Sequence, residues 1–272
     1  MEGSEKRDVT RFKHSSVEKY HDDIAVEKPL SISLRYRSEI HNLGVTMRTP
    51  VNDKEMIFGL FYSEGIIDDK SEIIDLSIRN NEAMVDLGDG ANFNPQFHIR
   101  DSTVNSSCGI CGRKTIADIL QSMPKRGIKD FSIDPSIISI CLKRLKEYQT
   151  LFEKTGGSHA CASVNQDGII LNLFEDVGRH NAMDKLVGSM LLDGQINDRS
   201  NFSIVSGRAS FELVYKAIRA GFPMMLSIGA PSTMAVDISR EFGLALGCFV
   251  NSQSIIVYSG SKSFVFSNEH KE

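Results

Sequence analysis

Cys108 and Cys111 stand three positions apart in the run Ser106-Ser107-Cys108-Gly109-Ile110-Cys111-Gly112-Arg113-Lys114. Glycine permits backbone angles that side chains forbid, so Gly109 and Gly112 predict a mobile, exposed loop carrying two thiols. Arg113 and Lys114 place positive charge beside them. Such charge lowers a thiol's pKa, and the thiolate is the reactive form. The chemistry this loop suits is the handling of sulfur.

Several uses of such a pair compete. A structural zinc site needs four ligands, usually including a second close pair of Cys or His. Cys141, Cys161 and Cys248 are instead scattered singly, so no metal site is expected. A thioredoxin-like redox pair opens a helix in a βαβ setting, whereas this one lies between a β-rich unit and a polar linker. A sulfur carrier needs only a nucleophilic cysteine on a loop able to visit two sites, with the second thiol as a further acceptor. Two thiols without chemistry would be an exposed liability. The three solitary cysteines sit among apolar neighbours and read as small core residues.

The run Glu175-Asp176-Val177-Gly178-Arg179-His180-Asn181 is the densest polar stretch of an otherwise apolar half. It reads as a salt-bridge and capping network or as the lining of a site. In the second case Arg179 is a two-pronged donor to phosphate, and His180 carries protons near neutral pH. Two strand-to-helix joints, Ser206–Ser210 and Gly229–Thr233, add backbone N–H groups and helix dipoles at a sheet edge, where α/β proteins hold anions. With Arg208 in the first joint, they point to a phosphorylated ligand. The plainer reading is that Gly and Ser serve turns and caps. His159, judged alone, reads as a hydrogen-bonded core histidine.

These residues must be positioned by 272 residues, a length that suggests two domains. Hydrophobic residues at 41% and charged residues at 24% are ordinary for a globular protein. A formal charge of −4 and a pI near 6.0 argue against a general nucleic-acid binder. No apolar run approaches the roughly 20 residues needed to span a membrane. Met1 to Glu18 is polar and has no signal-peptide h-region. A cytoplasmic protein with reduced thiols is expected.

Residues 1–20 read as a flexible tail. Residues 21–105 read as a smaller β-rich unit. In it Leu30, Ile32, Leu34 and Tyr36 alternate with polar residues as a half-buried strand, with Val45, Met47 and Thr49 as its partner. A helix follows, capped by Asn52 with Glu55 reaching back and ended by Gly65. Strands over Ile73–Ile78 and Met84–Leu87 flank an Asn80-Asn81 turn. Residues 106–133 hold the Cys-x-x-Cys loop and a linker. Residues 134–268 begin with a helix running to Gly156-Gly157 and a hairpin over 160–174. Strands then alternate with helices, which predicts a three-layer α/β domain with a parallel or mixed sheet.

The same residues resemble the formate dehydrogenase accessory sulfurtransferase family, FdhD. The resemblance is carried by Cys108–Gly112, Thr155–Ala160, Glu175–Lys185 and Ser206–Glu212, with Thr49-Pro50 and Ser63–Ile67 upstream. It runs from about residue 24 to 260. It implies a cytidine-deaminase-like α/β core with an added N-terminal unit, assembled as a homodimer. It implies sulfur taken as a persulfide from a cysteine desulfurase and passed to the molybdenum cofactor, in its bis-guanine-dinucleotide form, for formate dehydrogenase. Cys108 would then bear the persulfide, with Cys111 beside it. Phe249, Val250, Asn251, Ser252, Gln253 and Ser254 correspond to the family's cofactor-contacting segment. Relatives often carry Arg or Lys there, and this chain has none. Backbone N–H groups, or Arg179, Arg208 and Lys216, would have to supply the charge.

Two rivals are weighed against this. A zinc deaminase needs His-x-Glu and Pro-Cys-x-x-Cys, and His159 is followed by Ala160 and Cys161 instead. A non-catalytic chaperone for the cofactor would share the pocket and need neither thiol.

Overall fold

The computed structural model describes residues 3–98 and 131–266. The Cys-x-x-Cys loop and the linker expected after it, through Asp130, lie outside the described residues.

The chain opens on two antiparallel strands, β1 (Ser4–Lys13) and β2 (Ser16–Ala25), paired from Ser4 opposite Ala25 to Lys13 opposite Ser16. This corrects the expectation of a flexible tail over residues 1–20. Both faces of the ribbon are largely exposed, so its sequence lacks the apolar alternation that marks a strand. Cross-strand polar pairs fix its register instead. Lys13 Nζ lies 2.8 Å from Glu18 Oε1, and Asp8 Oδ1 lies 2.6 Å from His21 Nδ1.

A four-stranded sheet follows, in the order β4-β3-β6-β5. Its members are β3 (Lys28–Tyr36), β4 (Glu39–Arg48), β5 (Ile73–Arg79) and β6 (Glu82–Leu87). Leu30, Ile32, Leu34 and Tyr36 are buried, as their alternation predicts. Asn80 and Asn81, at φ 51° and 63°, make the tight turn between β5 and β6. Helix α1 (Asp53–Glu64) crosses between β4 and β5 and stops at Gly65, whose φ of 73° suits glycine. Its start differs from the expected capping box. Asn52 adopts φ 59° and its side chain makes no cap bond. Arg48 grips Asp53 instead, through Nε at 3.0 Å and Nη2 at 2.8 Å.

A short helix, α2 (Pro95–His98), closes the first described segment. The second begins with α3 (Ile137–Tyr148) and α4 (Thr150–Thr155), separated where Gln149 leaves helical geometry at ψ 63°. The single helix expected there is therefore two. Next come β7 (His159–Asn165), β8 (Ile170–Asp176), α5 (Arg179–Leu192), β9 (Asn201–Val205), α6 (Phe211–Ala220), β10 (Met224–Ser227), α7 (Thr233–Phe242), β11 (Ala245–Cys248) and β12 (Ile256–Ser259).

The six strands order as β12-β11-β10-β9-β7-β8. The central three are parallel and the remainder antiparallel, so the fold is mixed α/β. Alternate residues of each strand serve different cores. Cys161, Val205, Met225 and Leu246 face α5, α6, α7 and the N-terminal sheet. Ala162, Ile204, Leu226 and Ala245 pack with Ile138, Cys141 and Leu145 of α3. One continuous core thus joins the N-terminal sheet to the α/β unit through α1 and α5. Among the described residues no helix is long and apolar enough to cross a membrane.

Candidate functional site

The polar run at the end of β8 divides into a scaffold and a pair of side chains that the scaffold presents. Asp176 is fully buried and is its centre. Its Oδ2 accepts from Lys185 Nζ at 2.6 Å and from the Thr49 N–H at 3.0 Å. Its Oδ1 accepts from the Gly178 N–H and from Asn181 Nδ2. Lys185, equally buried, also donates to the carbonyls of Thr49 and Glu175. Glu175 accepts from the N–H groups of Leu151 and Phe152 and from Ser158 Oγ. The buried charges of Asp176 and Lys185 are paired and hydrogen-bonded, and removing one partner of such a pair typically costs about 3–5 kcal/mol. Glu175, Asp176, Asn181 and Lys185 therefore hold the first turn of α5 in place.

That turn sends Arg179 and His180 to different surroundings. Arg179 lies beside Gly207 and His159: a Cβ on Gly207 would come 3.8 Å from Arg179 Cδ and 3.4 Å from His159 Nδ1. Arg179 Nε is buried without a hydrogen-bond partner. Burial, reinforced by Arg179, pushes the His159 pKa down. His180 turns toward α6, with Nε2 3.2 Å from Glu212 Oε2 and 3.4 Å from Ser210 Oγ. Burial drives its pKa down to about 4, although Glu212 opposes this. A pKa lowered in this way does not favour the reading of His180 as a proton carrier near neutrality.

The two strand-to-helix joints and the residues after β11 are sewn together along one sheet edge. Gly229 N–H donates to the Gly207 carbonyl at 3.0 Å, and Phe249 N–H to the Gly229 carbonyl at 3.2 Å. Ala209 and Ser232 exchange further bonds with the opposite joint. A Cβ on Gly229 would lie 2.9 Å from the Arg208 backbone, so this approach requires glycine. Ser210 and Ser232 cap α6 and α7 by accepting from the N–H groups of Leu213 and Ala235. Part of the N–H supply expected for an anion is consequently spent on turns and caps.

Arg208 and Phe249 are exposed on this edge, Phe249 at φ 52°. The Val250 side chain is buried and its N–H donates to Ser227, so it offers a ligand nothing but its carbonyl. Asn251 folds the next residues back, its Oδ1 accepting from the N–H groups of Gln253 and Ser254. Ser252, Gln253 and Ser254 are exposed. Arg179, Arg208 and Phe249–Ser254 therefore belong to one edge, and His180 lies on the far flank of the α5 turn. Lys216 does not join them. It is buried, with Nζ 2.6 Å from Asp184 Oδ2 and 3.8 Å from Glu212 Oε1.

His180, Asp184, Glu212 and Lys216 line a cavity of about 540 Å³ between β4, α1, α5 and α6. Sequence reading assigned no role to Asp184, Glu212 or Glu64. The sequence does set Glu212 and Lys216 four apart on one helix face, but nothing in it brings Asp184 to them.

The three cysteines within the described residues, Cys141, Cys161 and Cys248, are buried in the cores. Burial pushes the thiol of Cys141 up to about 11 and that of Cys248 up to about 12, and raises Cys161 as well. None is a ready thiolate. Cys108 and Cys111, the other two of the chain's five cysteines, lie outside the described residues.

Residues 25–265 match the model of the FdhD/NarQ family. The chain belongs to that family. Two FdhD relatives illustrate how evenly the likeness is spread. The sulfur carrier protein FdhD of Thermoplasma volcanium is 41% identical over 247 residues, covering 88% of each chain. That of Saccharolobus solfataricus is 38% identical over 258 residues, covering 94% of this chain and 96% of its own. The crystal structure of a putative formate dehydrogenase accessory protein from Desulfotalea psychrophila aligns with a TM-score of 0.78 at 22% identity. It covers 97% of this chain and 100% of its own, and so shares the fold. In this FdhD/NarQ chain the motif Glu175–Lys185 combines the buried scaffold with both cavity and edge residues.

Proposed function

We propose that the protein is a sulfur carrier for formate dehydrogenase, with Cys108 as the residue that bears the sulfur. The carrying observation is that the chain's other cysteines outside the Cys-x-x-Cys motif are enclosed with raised pKa values. Relatives spanning nearly the whole chain bear the name sulfur carrier protein FdhD. A cysteine desulfurase presents its sulfur as a persulfide. The Cys108 thiolate attacks the outer sulfur, the donor's thiolate leaves, and Cys108 holds the new persulfide. Release as sulfide takes two electrons, which Cys111 supplies by closing a disulfide on Cys108.

The acceptor we propose is the molybdenum cofactor in its bis-guanine-dinucleotide form, bound as a substrate. The edge bearing Arg179, Arg208 and Phe249–Ser254 fits a phosphate-rich molecule, because Arg179 Nε is buried and unpaired there. Planar guanidinium groups suit two-pronged phosphate contact. The order β8-β7-β9-β10-β11, with β7 antiparallel to β9, supports a cytidine-deaminase-like core. Assembly as a homodimer and residence in the cytoplasm complete the reading.

The test is complementation. In cells lacking their own carrier, the Cys108→Ala variant should leave formate dehydrogenase inactive while the wild-type chain restores it. Full activation by Cys108→Ala would instead fit a chaperone that works without a thiol.

A further inference from the structure

The start of β7 brings one more ring to the edge that carries Arg179. His159 is half-buried there, opposite Asp176 of β8. Neighbouring backbone fixes the strand end. Ala160 N–H donates to Ser206 Oγ at 2.9 Å, and the Ala160 carbonyl accepts from Ser206 N–H at 2.9 Å. The imidazole itself has no hydrogen-bond partner among the described residues. Its Nδ1 and Arg179 Cδ both abut the place a Cβ would take on Gly207, so the glycine leaves the space between them open. Arg179 Nε is also buried without a partner among the described residues. Two side chains with unspent nitrogens thus meet over one glycine.

The charges around the ring decide its state. Arg179 of α5 disfavours its protonation, as burial does, and Asp176 favours it more weakly. The Asp176 carboxylate is already shared among Lys185, Thr49, Gly178 and Asn181. Glu175, before it on β8, is bound to Leu151, Phe152 and Ser158. His180, next to Arg179 on the same turn, is itself driven toward its uncharged form by burial. Arg208, after Gly207, is exposed. Burial and Arg179 therefore keep the His159 ring uncharged at neutral pH in the free protein. A phosphate group beside Arg179 reverses that balance, because a nearby negative charge favours the imidazolium and gives its N–H an acceptor.

We infer that His159 is a phosphate-binding residue of the Arg179 edge and takes up a proton from solvent when a phosphorylated ligand binds. Imidazolium and guanidinium then hold the anion together, and its release returns the proton. The inference rests on the reading of that edge as a phosphate site.

Calorimetric titration of GDP into the full chain at pH 7, repeated in two buffers of different ionisation enthalpy, counts the protons taken up per ligand bound. His159→Gln keeps a neutral donor and cannot be protonated. The wild-type chain should take up more protons than this variant and bind GDP about fivefold or more tightly, the gain of a charged over a neutral hydrogen bond. That advantage should grow from pH 8 to pH 6. Should His159→Gln not fold, the imidazole signals of the wild-type chain decide: one that titrates below 6.5 should move to higher pH on saturation with GDP. Equal affinity and equal proton uptake in the two proteins, or no imidazole that moves, would overturn the role of His159 and leave the edge standing. No binding of GDP, or binding that Arg179→Ala leaves unchanged, would overturn the edge reading and this inference with it.

Discussion

Gly59 of α1 and Gly188 of α5 meet where their helices cross with backbones in contact. A Cβ on Gly59 would sit 1.8 Å from the Asp184 carbonyl oxygen, and one on Gly188 would sit 1.8 Å from that of Glu55. This crossing joins the N-terminal sheet to the α/β unit and sets Asp184 at the cavity. Because the obstructing atoms are backbone, no side chain can move aside. Gly59→Ala and Gly188→Ala are each expected to destabilise the protein by about 1–3 kcal/mol or more. Urea unfolding checks this, as a lowered midpoint with an unchanged slope.

Acid stability depends on two groups that act in opposite directions. His180 has its pKa lowered from 6.5 to about 4, so the unfolded chain takes up that proton first. Its contribution to stability is present above pH 6.5 and is lost as the pH falls toward 4. Asp184 has its pKa raised from 3.8 to about 6, so the folded chain takes up that proton first and gains stability over the same fall. His180→Gln should therefore gain stability relative to wild type between pH 7.5 and pH 5, by a few kcal/mol or less. Denaturant midpoints at those two values decide it. A constant difference between the two proteins would contradict the assignment.

Much of this was legible in the sequence, for local reasons. Helix α6 is bounded by local signals, because Ser210 caps its start at Phe211 and Gly221 at φ 89° ends it after Ala220. The Asn80-Asn81 turn was equally plain. The β1–β2 ribbon escaped notice because polar residues occupy both its faces. Asn52 misled because its backbone took a left-handed conformation that no side-chain pattern announces. Arg179 and Arg208 were visible at strand ends and Phe249 only through the family resemblance, and the sheet places them on one edge. The Asp184–Lys216 contact was invisible, since it spans 32 positions and depends on how two helices lie together.

The edge residues should matter for binding rather than for folding. Arg208 is exposed, so Arg208→Ala is expected to leave stability unchanged and to weaken guanine-nucleotide binding by about 1–3 kcal/mol. Arg179→Ala should weaken binding at least as much, since its Nε has no partner among the described residues. Equilibrium titration of GDP against each variant is the measurement. Unchanged affinity in both would move the ligand off this edge.

The claim that Cys108 carries sulfur is tested most directly by intact mass. The protein is incubated with a cysteine desulfurase and cysteine, then weighed and digested without reductant. The account predicts a gain of ~32 Da, one sulfur atom, on the peptide containing Cys108, absent from Cys108→Ala. No gain on that peptide, or a gain confined to Cys141, Cys161 or Cys248, would contradict it.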